Sequence, residues 1–204
     1  MDNVICSDKN FIAGLSEEFK ADLHQHPVLE IYAACDGSSH VKIGDEIVSG
    51  QIITIGPDAV HAIADDGKRG LAVFIDPLSE MGYSMKEELL RGDAYGVSYC
   101  DDLTDLLYSL LQNETHDDVY SVSKKLVFKL RGKMIDRPFD DPVLEALRIL
   151  SEEDENFTME ALASKVFLSK SRLAHLFSEQ TGITLKSYIQ YKKIGRAHVL
   201  NSSH

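Results

Sequence analysis

The sequence has no tryptophan, five prolines and three cysteines in 204 residues. The cysteines, Cys6, Cys35 and Cys100, are odd in number and form no CxxC pair, so we expect reduced thiols rather than a disulfide framework. No apolar run approaches the ~18 residues that a membrane-spanning helix needs, and the acidic start at Asp2 is unlike a signal peptide. These absences predict a cytoplasmic protein that has no membrane partner.

Positive charge is scarce as well, because 21 Lys and Arg residues stand against 33 Asp and Glu and give a formal net charge of −12. The stretch from Met159 to Lys193 departs from this balance with a local charge of +4, which leaves −16 on the remaining residues. Such an asymmetry predicts a polyanion-binding segment attached to an acidic domain. Its cations are Lys165, Lys170, Arg172, Lys186, Lys192 and Lys193, and its anions are Glu160 and Glu179.

The spacing of apolar residues changes near Asp76. Between Val28 and Asp76 short β-rich runs alternate with Gly and Asp turn signals, which predicts an antiparallel sandwich or small barrel. Beyond Asp76, apolar stripes at 103–111 and 119–130 predict two amphipathic helices. Two prolines between Asp136 and Pro142 indicate a linker, after which another helix begins. The predicted fold class is therefore α+β, with an N-terminal β barrel, a helical middle region and an all-α C-terminal segment.

The basic stretch has the signals of a helix-turn-helix. Thr158 predicts the N-cap of a helix that ends near Val166, and Ser169 predicts the N-cap of a second helix that runs to Gln180. Gly182 is suited to stop that second helix. Two short helices joined by about three residues form a helix-turn-helix, whose second helix enters the major groove of DNA.

The run "LSKSRLAHLFSEQTG" (168–182), with Ala161 and Ala163 before it and Tyr188 six residues after it, resembles the first helix-turn-helix of AraC-type transcription regulators. The resemblance implies double-stranded promoter DNA and a small-molecule effector as partners, a homodimer, and no enzyme activity. It also implies that Ser171, Ala174 and His175 lie nearest the base edges, with His175 the best candidate for a specific contact. The backbone-holding residues would be Ser169, Lys170, Arg172 and Lys186. Phe167 stands where such turns often have glycine.

A second constellation lies in the strand region. The spacing H24-x-H26-x3-E30-x6-G37, followed by P57-x3-H61, resembles the two cupin motifs, and AraC-type regulators commonly carry a cupin-like barrel. His24, His26 and Glu30 share one parity, so on one extended strand their side chains would leave the same face. Three imidazoles and one carboxylate suit Fe, Mn, Ni or Zn.

Three interpretations of these four residues stay open: a site for a divalent transition metal, the lining of an organic effector pocket, or purely structural histidines. A regulator of this type requires no cofactor. The alternative function is a mononuclear metal cupin enzyme, of dioxygenase or isomerase type, with a helical appendage.

The expected domains are an effector-sensing barrel at 10–78, a helical dimerisation or linker region at 79–135 and a partial helix-turn-helix domain at 141–193. The stripes at 103–111 and 119–130 would serve dimerisation or pack against the barrel. The last eleven residues, "IGRAHVLNSSH" (194–204), match the translation of a common sequencing adapter with one inserted base. The alternative is native connector-helix sequence cut short, since Ile194, Ala197 and Leu200 fall at its apolar positions, but this leaves 201–204 unexplained. AraC-type DNA-binding domains have two helix-turn-helix units, so we expect a non-native tail on a chain truncated within that domain.

Overall fold

The structure is a computed structural model, and it describes residues 3–8, 10–17, 21–65, 67–152 and 158–201, with side chains through Lys193. The chain divides into two compact units, Met1–Ile135 (the barrel unit) and Asp136–His204 (the helical unit). The division falls at the start of the predicted linker, where Pro138 and Pro142 interrupt regular structure.

The barrel unit contains two antiparallel sheets whose facing sides share an apolar core. A six-stranded sheet has the order β1-β2-β9-β4-β7-β10, and a four-stranded sheet has the order β3-β8-β5-β6. Tyr32, Ile53 and Ile55 from the first sheet pack with Val41 and Ile63 from the second. This confirms the predicted α+β class with an antiparallel cupin-like barrel first. The strands are β1 Val4–Ser7, β2 Phe11–Ser16, β3 Ala21–His24, β4 Leu29–Ala34, β5 Ser39–Ile43, β6 Glu46–Gly50, β7 Ile52–Ile55, β8 His61–Ile63, β9 Gly70–Ile75 and β10 Tyr95–Ser98.

Two strands lie outside the range 10–78 predicted for the barrel. β1 precedes it and β10 falls within the region predicted as helical, and these two strands form the edges of the six-stranded sheet. Each has four residues, and β10 pairs with β7, about 40 residues earlier in the chain. A strand this short carries too few alternations for its period to be recognised.

Helices pack on the outer face of the six-stranded sheet. The apolar stripe of α2 and α3 joins one buried cluster with Phe11, Ile31 and Val73 of the sheet. The predicted stripes therefore pack against the barrel, which was one of the two uses expected for them, and region 79–135 belongs to the same compact unit. The helices of this unit are α1 Glu80–Leu89, α2 Asp101–Ser109 and α3 His116–Leu130, and the buried stripe comprises Leu103, Leu107, Leu110, Val119, Val122, Leu126, Val127 and Leu130.

Gln51, just before β7, ties the sheet to the start of α2. Its Nε2 donates to the Cys100 carbonyl (3.2 Å) and to the Thr104 hydroxyl (2.8 Å), while its Oε1 accepts from the Cys100 backbone N–H (2.6 Å). Cys100 is the N-cap residue of α2, and its own side chain makes no capping hydrogen bond. The distant amide therefore binds the N-cap backbone N–H, the donor that a Glu or Gln side chain at N3 binds in a capping box.

The helical unit consists of α4 Asp141–Glu152, α5 Met159–Lys165, α6 Lys170–Thr181 and α7 Leu185–Asn201. The predicted caps are confirmed, since Thr158 accepts from the Ala161 N–H, Ser169 accepts from the Arg172 N–H, and Gly182 closes α6 at φ 75°. Phe167 adopts φ 57° with its side chain 94% exposed, so the turn does require the left-handed conformation.

The core of the helical unit is made of apolar side chains from all four helices: Val143, Ala146, Leu147, Leu150, Leu162, Leu173, Leu176, Phe177, Tyr188 and Ile189. The backbone of α7 continues to Asn201, whereas the side chains of 194–201 and the whole of 202–204 lie outside the described residues, so the predicted tail stays a prediction. Among the helices that the structure describes, none is long and apolar enough to cross a membrane.

Candidate ligand site in the barrel and candidate DNA-binding surface

The four predicted ligand residues come together, but not from one strand. His24 ends β3, directly opposite His61 of β8 in the four-stranded sheet, whereas Glu30 belongs to β4 of the six-stranded sheet. His26 lies in the connection between the two sheets, where Pro27 has no N–H to donate to a ladder. The expectation of one extended strand is therefore wrong for this segment, and the residues converge from both sheets. We call His24, His26, Glu30 and His61 the histidine–glutamate cluster.

The cluster is compact and opens to one side. One ligand atom from each residue lies within 4.8 Å of all the others. Glu30 Oε2 is 2.8 Å from His26 Nε2 and 3.0 Å from His61 Nε2, and the rings of His24 and His61 are 4.3 Å apart between centroids. Glu30 and His61 are buried, His26 is partly buried and His24 is the most exposed of the four. Access is therefore from the side of His24.

The hydrogen bonds of His61 require a cation at its second nitrogen. His61 Nδ1 lies 2.8 Å from the Ala59 carbonyl, which can only accept, so Nδ1 carries the proton. Nε2 then faces the Glu30 carboxylate, and two acceptors cannot bond without a proton or a metal ion between them. His24 is arranged alike, because its Nδ1 donates to the Asp22 carbonyl at 2.7 Å and a neutral ring keeps its lone pair on Nε2.

The pKa values of the buried pair follow from the same contacts. Burial alone would raise the pKa of Glu30, but hydrogen bonds from His26 and His61 and their charges lower it below its ordinary value. Burial would lower the pKa of His61, yet the contacts with Glu30 and the Ala59 carbonyl raise it. An anionic oxygen is thus held beside imidazole nitrogens in a low-dielectric site, a donor set that fits Fe, Mn, Ni or Zn.

Phe74 is a neighbour of the cluster that the sequence did not indicate. It lies on β9 opposite Glu30, and its ring packs edge-on against His26 with centroids 5.6 Å apart. No spacing rule connects Phe74 to the cluster, because the contact arises only from the pairing of β4 with β9.

The seven predicted DNA-contacting residues lie at the N-cap and on α6, with one in the first turn of α7. Six are exposed and Ala174 is half-buried, while Leu173, Leu176 and Phe177 on the opposite face are buried. We call this set the recognition surface: Ser169, Lys170, Ser171, Arg172, Ala174, His175 and Lys186.

Two ion pairs involve the recognition surface. Lys170 Nζ lies 2.5 Å from Glu160 Oε1 of α5, and His175 Nδ1 lies 3.5 Å from Glu179 Oε2 one turn later on α6. The sequence shows both glutamates as charges of the stretch but not which residues they contact. The signal for Glu179 was its i,i+4 spacing from His175, whereas the Glu160 contact depends on how α5 meets α6.

No family model matches the chain. The chain is similar to the arabinose operon regulatory proteins of Escherichia coli (strain K12) and Salmonella typhimurium, with 40% and 37% identity over 68 residues. These matches cover 32% of this chain and only 23% and 24% of the relatives, about a quarter of their length.

Two solved structures show the range of folds that resemble this one. ToxT from Vibrio cholerae with a bound unsaturated fatty acid aligns over 100% of this chain and 83% of that one, at 11% identity and a TM-score of 0.48. An RmlC-like cupin from Shewanella frigidimarina aligns over 36% of this chain and 72% of that one, at 16% identity and a TM-score of 0.29.

The motif at 168–182 has its predicted caps, its turn and its exposed face in the structure. Over 68 residues, the chain is similar to proteins that are named as regulators of an arabinose operon.

Proposed function

We propose that this chain is part of a transcription regulator that binds double-stranded DNA through α6 and responds to a small molecule bound in the barrel unit. The main support for this proposal is the 40% identity with an arabinose operon regulatory protein over 68 residues. The exposed recognition surface supports it, because its cations and hydroxyls suit phosphates and base edges.

The roles proposed for the recognition surface follow from size and charge. Ser171, Ala174 and His175 face the base edges: Ala174 can contact only a thymine methyl, and His175 supplies a ring nitrogen for a hydrogen bond. Around them Ser169, Lys170, Arg172 and Lys186 contact the backbone, which positions the helix without reading sequence.

Two variants test this division of roles. His175→Ala should relax the preference at one base step by about 1–3 kcal/mol, whereas Arg172→Ala should weaken binding evenly across sequences and reduce the salt dependence. Fluorescence anisotropy with labelled promoter and scrambled duplexes measures both effects. Lys42→Ala removes an equal charge at an exposed position of β5 in the barrel unit and should change neither. Equal, sequence-blind losses in both variants would contradict the proposed roles.

For the barrel unit we propose that the histidine–glutamate cluster holds a divalent transition metal against which the effector binds. The donor set supports this, because a metal ion could replace the proton between His61 Nε2 and Glu30 Oε2, and it would supply a Lewis-acidic centre for an oxygen-bearing ligand. Glu30, His61 and His26 would hold the metal from the buried side, with His24 at the entrance.

Elemental analysis of protein purified without chelator tests the metal. About one transition metal per chain is expected, and His26→Ala should abolish it; His40→Ala, a histidine bonded to Asp65 outside the cluster, should retain it. Well-folded protein without metal would leave the cluster as the lining of an organic effector pocket. Turnover by the metal-loaded protein would instead favour the alternative, a mononuclear cupin enzyme.

The effector would act only through a difference in its affinity for two arrangements of the regulator. We propose that the regulator is a homodimer, which analytical ultracentrifugation with and without DNA would test. A monomer that binds DNA at full affinity would contradict it.

A further inference from the structure

The two acidic side chains of the stretch 159–193 are both engaged with the recognition surface. Glu160 contacts Lys170 and Glu179 contacts His175. Neither carboxylate is buried, so neither is needed to neutralise a charge in the core. Because both carboxylates lie beside cationic groups of the recognition surface, they affect how an anion such as a DNA phosphate binds there.

Glu160 is the better placed of the two. It lies in the first turn of α5, and its Oε1 is 2.5 Å from Nζ of Lys170, the first residue of α6. The hydrogen bond from Lys170 lowers the pKa of the Glu160 carboxyl, so the group is an anion at neutral pH. The pair thus spans the turn of the helix-turn-helix and fixes where the Lys170 ammonium sits.

A DNA phosphate and the Glu160 carboxylate compete for the same ammonium group. Both are anions that accept charge-assisted hydrogen bonds, so Lys170 must leave Glu160 before it can neutralise a phosphate. Once Lys170 has moved, the uncompensated carboxylate repels the same phosphate. Both effects oppose binding to any DNA sequence, because neither depends on the bases.

We propose that Glu160 is a negative determinant of DNA binding: it withholds Lys170 from the phosphate backbone and so weakens binding to DNA of any sequence. This inference rests on the proposed function. Because the pair touches no base contact, such as the one proposed for His175, the cost is the same for specific and non-specific sites.

Glu160→Gln tests the proposal with a labelled duplex of random sequence as the probe. The amide keeps the shape of the side chain and removes its charge, so Lys170 becomes free to contact a phosphate. Non-specific affinity should rise about threefold at physiological salt, and the slope of log affinity against log salt should steepen by about 0.9, as expected for one added phosphate contact.

Glu152→Gln is the matched control. Glu152 also forms an exposed ion pair, with Arg148 on α4, so the substitution changes the net charge of the helical unit equally. Because Arg148 stays paired with Glu145 in this variant, neither affinity nor slope should change.

A double substitution distinguishes the release of Lys170 from the general repulsion between the Glu160 carboxylate and DNA. In a Lys170→Ala background, Glu160→Gln should no longer steepen the salt slope, because no ammonium is released. If Glu160→Gln behaves like Glu152→Gln while Arg172→Ala still weakens binding, this inference is wrong and the proposed function stands. If no variant binds the duplex even at low salt, the proposed DNA binding fails and the inference fails with it.

Discussion

Glu30 in the barrel unit and Glu160 in the helical unit are both carboxylates held at hydrogen-bond distance by a nitrogen-bearing side chain. Glu30 accepts from His26 and His61 at 2.8 and 3.0 Å, and Glu160 accepts from Lys170 at 2.5 Å. The two differ in burial, since the Glu30 side chain is 2% exposed and that of Glu160 is 64% exposed. A short distance alone therefore does not show which contact stabilises the fold. The degree of burial decides, because water weakens the exposed ion pair far more than the buried one.

The recognition surface and the histidine–glutamate cluster also differ in how the chain brings their residues together. The recognition surface comes from one continuous segment, and all of its residues except Ala174 are exposed. The histidine–glutamate cluster comes from three strands of two sheets and from the connection at His26, and its inner members Glu30 and His61 are buried. The exposed set depends on local helix geometry, and the buried set depends on the packing of two sheets.

Glu30→Ala should have the largest effect on stability. The substitution leaves His26 and His61 facing each other in a buried site without their anion, and breaking such a buried pair costs about 3–5 kcal/mol of the free energy of unfolding. Urea unfolding of chelator-treated protein measures the loss, with Glu30→Gln, which keeps one acceptor oxygen, as a milder control. A loss of stability as small as that for a surface substitution would mean that burial does not make the contacts of Glu30 more stabilising than those of Glu160.

Leu126→Ala should follow with a loss of about 3 kcal/mol. Leu126 on α3 is fully buried in the cluster shared with the sheet, and its removal leaves a cavity there. Phe128, two residues later, is largely exposed, so Phe128→Ala should leave stability nearly unchanged. If Phe128→Ala lowers stability in a concentration-dependent way and Leu126→Ala does not, the helices serve an interface between chains instead.

In the helical unit the expected changes in the free energy of unfolding are smaller, and one substitution should raise it while another lowers it. Phe167→Gly should raise the free energy of unfolding by about 0.5–1 kcal/mol, because it relieves the positive φ and sacrifices no buried surface. Gly182→Ala places a Cβ at a similar φ of 75° and should lower it by about 1 kcal/mol. Thermal unfolding should show shifts of opposite sign in the melting temperatures of the two variants. Shifts of the same sign would mean that the positive φ of Phe167 is not strained.

Glu160→Ala should have the smallest effect on stability. Its ion pair with Lys170 is fully exposed to solvent, so the urea midpoint should not move measurably, even though DNA affinity rises. Gln190→Ala, at an exposed position of α7, serves as a neutral reference for the same measurement. A clear loss of stability would assign Glu160 a structural role in joining α5 to α6.

The helical unit was more accessible to prediction than the barrel unit because its signals are local. Thr158, Ser169 and Gly182 each act on the backbone within a few residues, so the ends of α5 and α6 could be placed from the sequence alone. The contact between Glu160 and Lys170 could not be placed in this way, since it depends on packing between helices.

In the barrel unit the identities of the ligands were predictable from spacing, but their geometry was not. The spacing of His24, His26 and Glu30 suggested one strand, whereas the chain leaves one sheet and enters the other at Pro27. Phe74 and the edge strand β10 depend on pairings between distant parts of the chain, which the period of a short run cannot show.

The side chain of Gln51 has a consequence for how the barrel unit opens. Because its amide makes three hydrogen bonds to the first turn of α2 and immediately precedes β7, a central strand, that turn cannot fray without the amide losing its partners. The amide protons around Leu103 should therefore exchange with solvent as slowly as those of the sheet, as one cooperative opening unit. An ordinary helix end, capped only by its own neighbours, would exchange first.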